Sequence, residues 1–245
     1  MLLIDIGNSR IKLGHYDGQG ITELSPLAWR ERDLAQVWTT LLGVLPPVPR
    51  VVVSNVGGAV VAESLTRWLA ERWGVVPQFA RVVQDFAGLH TQYQYPEKLG
   101  VDRWLAALAG FHLSQGAVCV VDAGTALTID VVTGDGQHLG GLIAPGLALM
   151  ARSLTQGTAQ LQIDTVQPVT QIAKHTAAAI SLGCREAVAG LLAQFAARVG
   201  RELAELPTWW VTGGEATTLL ELSDLPLRHA PDLVLQGLAR YGELA

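Results

Sequence analysis

The chain has only two cysteines, Cys119 and Cys184, with no Cys-x-x-Cys pair and no Cys/His cluster. That excludes a disulfide framework and a structural zinc site, and leaves both as small apolar core residues. Charge is also scarce, at 16% of 245 residues, with 17 Lys and Arg against 22 Asp and Glu for a net −5. The basic residues are scattered, so no electrostatic footprint for nucleic acid forms and no nucleic-acid partner is expected. No apolar run approaches the roughly 18 residues a membrane span needs, so a cytoplasmic protein with no membrane partner is expected. Four signatures are missing: G-x-x-x-x-G-K-[ST], G-x-G-x-x-G after a strand, G-x-S-x-G and H-E-x-x-H. Their absence removes the P-loop, dinucleotide-binding, hydrolase-elbow and zincin readings. The six histidines have no metal-ligand spacing.

Hydrophobic residues make up 49% of the chain, enough to bury a substantial core. Three strands are predicted first, at Leu2 to Ile6, Ile11 to Tyr16 and Ile21 to Leu27, with Asp17-Gly18-Gln19-Gly20 as a turn. A helix from about Arg30 to Leu42 is stopped by Gly43 and the Pro46-Pro47-Val48-Pro49 stretch. A strand from Arg50 to Ser54, a Gly57-Gly58 break and a helix from about Ala59 to Trp73 follow. The second half begins in the same way. In "AVCVVDAGTALTIDVVTGDGQHLGGLI", residues 117–143, Asp122 falls on Asp5, Gly124 on Gly7 and Thr125 on Asn8. Later, "WWVTGGEATTLLEL" mirrors "VVVSNVGGAVVAESL". The expectation is an α/β protein made of two copies of one unit, residues 1–115 and 116–245, each a mixed sheet with three antiparallel leading strands and flanking helices.

An aspartate ending a buried strand beside a glycine turn suits a phosphate-bound cation. The carboxylate supplies hard oxygen, and glycine lets backbone N–H groups approach phosphate. Taken singly, Asp5 or Asp122 reads equally well as a turn-capping residue; the same feature in both halves favours function, with two such turns clamping a polyphosphate. In "TQYQYPEKLGVDRWLAALAGFH", residues 91–112, Asp102 and Arg103 open a helix. Asp102 is either a first-turn acid worth about 1 kcal/mol or a general base, and Arg103 either solvated or an anion clamp. The segment alone slightly favours the capping reading. In "GGLIAPGLALMARSL", Pro145 and Gly146 lead into a helix, and residues 174–195 form a long apolar helix with Thr176 most simply its N-cap.

Taken together these runs resemble the type III pantothenate kinases, a family of the actin-like, sugar-kinase and Hsp70 ATPase superfold. The likeness lies in "DIGNSRIK" at 5–12, "YQYPEKLGVDRW" at 93–104, "VVDAGTALTID" at 120–130, "GGLIAPG" at 140–146, "HTAAAISLG" at 175–183 and "VTGGEA" at 211–216. It implies two duplicated RNase H-like, actin-like ATPase domains and ATP-dependent phosphorylation of pantothenate, the first step toward coenzyme A. By family pattern, Asp5, Ile6, Gly7, Asn8, Ser9, Arg10, Ile11 and Lys12 hold ATP, with Asp5 on Mg²⁺ through water. Thr125 touches the phosphates, and Asp122 binds a monovalent cation, K⁺ or NH₄⁺. Tyr93, Gly100, Val101, Asp102, Arg103 and Thr176 hold pantothenate, and Asp102 takes the hydroxyl proton, which reverses the local preference for a cap. A homodimer with its active site at the interface is implied, the apolar helix being a candidate surface. Ser9 stands where threonine is common in the family, and His175 where asparagine is more usual. Another small-molecule kinase of the superfold, or a catalytically silent regulatory relative, is the alternative.

Overall fold

The computed structural model describes residues 1–155, 166–169 and 171–245. The chain divides into two compact units, Met1–Leu113 with Asp232–Ala245, and Ser114–Pro231.

The first unit contains β1 (Leu2–Ile6), β2 (Arg10–Tyr16), β3 (Ile21–Ala28), α1 (Leu34–Leu42), β4 (Val51–Asn55), α2 (Ala59–Trp73) and β5 (Gln78–Phe79). A short hairpin of β6 (Asp85–Phe86) and β7 (Leu89–Thr91), a 3₁₀ turn at Pro96–Lys98 and α3 (Val101–Leu113) follow. Strand order is β3-β2-β1-β4-β5: β1, β2 and β3 are antiparallel neighbours, whereas β4 and β5 join parallel to β1. Leu2, Ile4 and Ile6 of β1 pack with Trp38 and Leu42 of α1 and with Leu65 and Leu69 of α2. The α1 helix starts at Leu34, later than its apolar periodicity suggests. Asp33 caps it by accepting from the Gln36 N–H at 3.0 Å, which leaves Trp29 and Arg30 outside the helix.

The second unit holds β8 (Val118–Ala123), β9 (Ala126–Val132), β10 (Gln137–Pro145), α4 (Leu147–Thr155), α5 (Thr176–Glu202), β11 (Thr208–Thr212), α6 (Ala216–Leu222) and β12 (Leu227–His229). Its strands run β10-β9-β8-β11-β12, with β8, β9 and β10 antiparallel and β11 and β12 parallel to β8. This is the order and sense of the first unit, so the duplication read from the sequence is a duplication of topology. Cys119 and Cys184 lie in this unit's core, free thiols as expected. Burial pushes the Cys119 thiol up to about 12, so it stays protonated and inert at neutral pH.

Three features differ from the sequence reading. The C-terminal helix α7 (Leu233–Leu244) belongs to the first unit, so the second ends at Pro231 rather than at 245. It packs on α3 so closely that a Cβ on Gly237 would lie 2.0 Å from the Leu105 carbonyl oxygen, and Tyr241 joins Trp104 and Phe86 in an aromatic cluster. The α5 helix is capped by His175, whose Nδ1 accepts from the Ala178 N–H at 3.3 Å, and Thr176 is its first helical residue rather than its cap. Last, α5 is long and apolar enough to cross a membrane by length and composition, with a mean hydropathy of 1.3 over its best window, of which 28% is buried. Alanine, leucine, isoleucine and valine give that average, although Arg185, Glu186, Gln194 and Arg198 break the apolar sequence into shorter runs.

Candidate active site

In the first unit the chain leaves β1 at Asp5-Ile6, turns through Gly7, Asn8 and Ser9, and returns along β2. The Gly7 N–H donates to the Arg10 carbonyl at 3.0 Å, closing the turn. Asp5 is 7% exposed and lies in register with Lys12 on β2 and Ser54 on β4. Register partners share one face of a sheet, so Lys12, Asp5 and Ser54 form a polar row across β2, β1 and β4. Ser54 is fully buried and its hydroxyl has no hydrogen-bond partner among the described residues. A buried hydroxyl in that state costs stability unless a ligand or water serves it.

The second unit repeats the turn. The Gly124 N–H donates to the Ala126 carbonyl at 3.0 Å, and Asp122 stands in register with Thr128 and Thr212. Two further glycines press on it. A Cβ on Gly213, whose φ is +94°, would lie 2.4 Å from both the Asp122 carboxylate and the Ala123 carbonyl oxygen; one on Gly146 would lie 2.2 Å from the Gly124 carbonyl oxygen. Both positions exclude any side chain. The Glu215 carboxylate accepts from the Leu147 and Ala148 N–H groups at 3.1 and 3.2 Å, satisfying the first turn of α4, while its own N–H donates to the Ala123 carbonyl. Glu215 therefore ties the Asp122 turn to the start of α4. That role was not read from the sequence, where Glu215 was only the fifth residue of a glycine-containing run. The replacement Gly213→Ala is expected to lower the unfolding free energy by about 1–3 kcal/mol, through left-handed strain and overpacking against Asp122. Urea denaturation measures this, and an unchanged midpoint would contradict the packing described.

A third group of residues forms around the start of α3. Arg103 is only 8% exposed, so the solvated alternative does not hold. Its Nη1 donates to the Tyr93 hydroxyl at 3.4 Å and its guanidinium lies 5.9 Å from the Tyr93 ring centroid. Asp102 sits beside it, half-buried, accepting from the Arg103 N–H at 2.8 Å. Gly100 makes room: a Cβ there would lie 2.6 Å from the Asp102 carboxylate. Tyr93, Gly100, Val101, Asp102 and Arg103 are thus held in one place. Thr176 is exposed at the start of α5, beside an apolar groove of about 480 Å³ that Met150, Leu154, Ile180 and Cys184 also line.

No group of three or more His, Cys, Asp or Glu side chains that could hold a metal occurs among the described residues. The donors at each turn are instead one carboxylate with backbone and hydroxyl oxygens, hard ligands suited to a cation held jointly with water and phosphate. A match to the model of the type III pantothenate kinase family covers residues 1–198. The chain belongs to the type III pantothenate kinase family. A Nitrosococcus oceani type III pantothenate kinase is 38% identical over 99% of this chain and 94% of its own length, and one from Aromatoleum aromaticum is 38% identical over 98% and 96%. A solved Campylobacter jejuni structure described as a Baf family transcriptional activator superposes with a TM-score of 0.62 at 23% identity, covering 99% of this chain and 98% of that one. An Arthrobacter polyphosphate/ATP-glucomannokinase superposes with a TM-score of 0.52 at 18% identity, covering 100% and 98%. At these identities the structures speak for the fold, the duplicated actin-like ATPase architecture shared with sugar kinases. Within the pantothenate kinase family the chain is an enzyme, a kinase that uses ATP and a divalent metal.

Proposed function

We propose that the protein transfers the γ-phosphoryl group of ATP to the primary hydroxyl of pantothenate, forming 4'-phosphopantothenate and ADP, the first step toward coenzyme A. The observation that carries this reading is the assembly of Asp102, buried Arg103 and Tyr93 at the start of α3, in a chain of this family whose two units each carry an Asp as the next-to-last residue of their first strand, beside a glycine turn.

Arg103, held by Tyr93, offers a planar fork to the pantothenate carboxylate. Val101 and Gly100 shape the space around the substrate. Asp102 accepts the proton of the hydroxyl as its oxygen bonds to the γ-phosphorus and the bond to the β,γ-bridging oxygen breaks. Phosphoryl transfer asks mainly for positioning and charge neutralisation, so a carboxylate of ordinary basicity suffices for the proton. The residues from Asp5 to Lys12, Asp5, Ile6, Gly7, Asn8, Ser9, Arg10, Ile11 and Lys12, bind ATP, with Lys12 contributing positive charge. Thr125 contacts the phosphates from the second turn. Asp5 holds Mg²⁺, through water, and Asp122 holds K⁺ or NH₄⁺; these ions supply charge neutralisation when bound.

The largely exposed apolar surface of α5 pairs two copies into a homodimer, and Thr176 completes the pantothenate site at that interface. The protein works in the cytoplasm. A coupled ADP-release assay tests the reading: ADP appears with pantothenate and ATP, and the rate falls when K⁺ is replaced by Na⁺. Release of ADP on sugars but not on pantothenate would assign the protein to another kinase activity, and no release on either would mark it as catalytically silent. A gel-filtration mass of one chain would remove the dimer.

A further inference from the structure

We infer that Arg30, stacked on Trp29, is a positioning residue for the phosphate-binding turn; this deepens the ATP reading above and rests on it. Trp29 and Arg30 lie just after β3, where they cover the turn between β1 and β2. The Trp29 indole N–H donates to the Gly7 carbonyl at 2.9 Å and the Trp29 backbone N–H to the Ser9 carbonyl at 3.4 Å. Between them, Arg30 Nε donates to the Asn8 carbonyl at 2.6 Å, and Nη2 lies 3.4 Å from the Asn8 side-chain oxygen. Three successive carbonyls of the turn are therefore held by two adjacent residues.

A trans peptide carries its N–H opposite its C=O. Pinning the Gly7 and Asn8 carbonyls consequently fixes the directions of the Asn8 and Ser9 N–H groups, the donors that a glycine turn offers to a phosphate. Trp29 is anchored from below: it is 6% exposed, and a Cβ on Gly57 would come within 3.1 Å of its ring. The Arg30 guanidinium lies 4.4 Å from the centroid of that ring. Arg30 itself is exposed. It holds the turn from outside the core, and its positive charge stands at the tip of the loop.

These features separate positioning from folding. Removing an exposed arginine leaves the hydrophobic core intact, so the melting temperature of Arg30→Ala without ligand stays close to that of the native chain. Loss of a charge-assisted bond to Asn8 loosens the turn, and Mg-ATP affinity falls by about tenfold or more, measured by calorimetric titration without pantothenate. In steady state the KM for ATP rises while the KM for pantothenate is unchanged. Arg30→Lys keeps the charge but not the fork, and stays impaired. Native Mg-ATP affinity in Arg30→Ala, or full recovery in Arg30→Lys, overturns this inference alone. A native chain that binds no nucleotide overturns the kinase reading and this inference together.

Discussion

Replacing Asp102 by asparagine is expected to lower kcat for pantothenate phosphorylation by about 10²–10⁴-fold, the usual worth of a positioned general base. The substitution separates chemistry from structure unusually well at this position. Asparagine keeps the oxygen that accepts the Arg103 N–H at 2.8 Å, and it fits the space that Gly100 leaves open. The start of α3 therefore retains its backbone bonding, and Arg103 retains its partner Tyr93. What is lost is the negative charge and the capacity to take the hydroxyl proton. Thermal unfolding should move by no more than about 1 kcal/mol, the worth of a negative charge in a first helical turn. Undiminished ADP release in this variant would return Asp102 to the helix-capping role that its position also satisfies.

That ambiguity shows where the sequence is legible. The duplication could be read because each copy places an Asp, a glycine turn and a later Gly-Gly pair at matching places, and each such residue answers a local backbone demand. Strand order followed, since short turns force antiparallel neighbours and helical crossovers force parallel ones. Burial of Arg103 could not be read: its tyrosine partner lies ten residues earlier, beyond any helical period, and only the folded chain brings the two together. The place of α7 was hidden for a similar reason. Its tight contact at Gly237 is with Leu105, far away in the chain, and a lone glycine within a helical pattern does not name its neighbour. The sequence pattern places Arg30 in the helix because apolar spacing continues through it, whereas Asp33, three residues on, sets the helix start by capping it. Glu215 and Trp29 share this history: each acts on backbone groups of a distant turn, through bonds that no periodicity encodes.

The second large effect is expected at Asp5, where asparagine should lower kcat/KM for Mg-ATP by about 10²–10³-fold, the range found when one preorganised electrostatic group is removed. Asp5 is nearly buried in β1 between Lys12 and Ser54, and asparagine has almost its shape, so the backbone pairing of the three strands is unaffected. The carboxylate, not the fold, is what changes. Ligand-induced stabilisation then distinguishes the two aspartates. A nucleotide at 100 times its dissociation constant raises stability by about 2.7 kcal/mol, and this gain depends on binding rather than on turnover. Asp102→Asn should keep the shift in melting temperature produced by Mg-ATP, because its defect lies in proton transfer. Asp5→Asn should lose most of it, because its defect lies in holding the metal and phosphates. If Asp5→Asn instead melts far below the native chain without ligand, the buried carboxylate serves the strand and turn themselves. If both variants keep the full shift, Asp5 has no part in nucleotide binding, and the turn it precedes holds phosphate through its backbone alone.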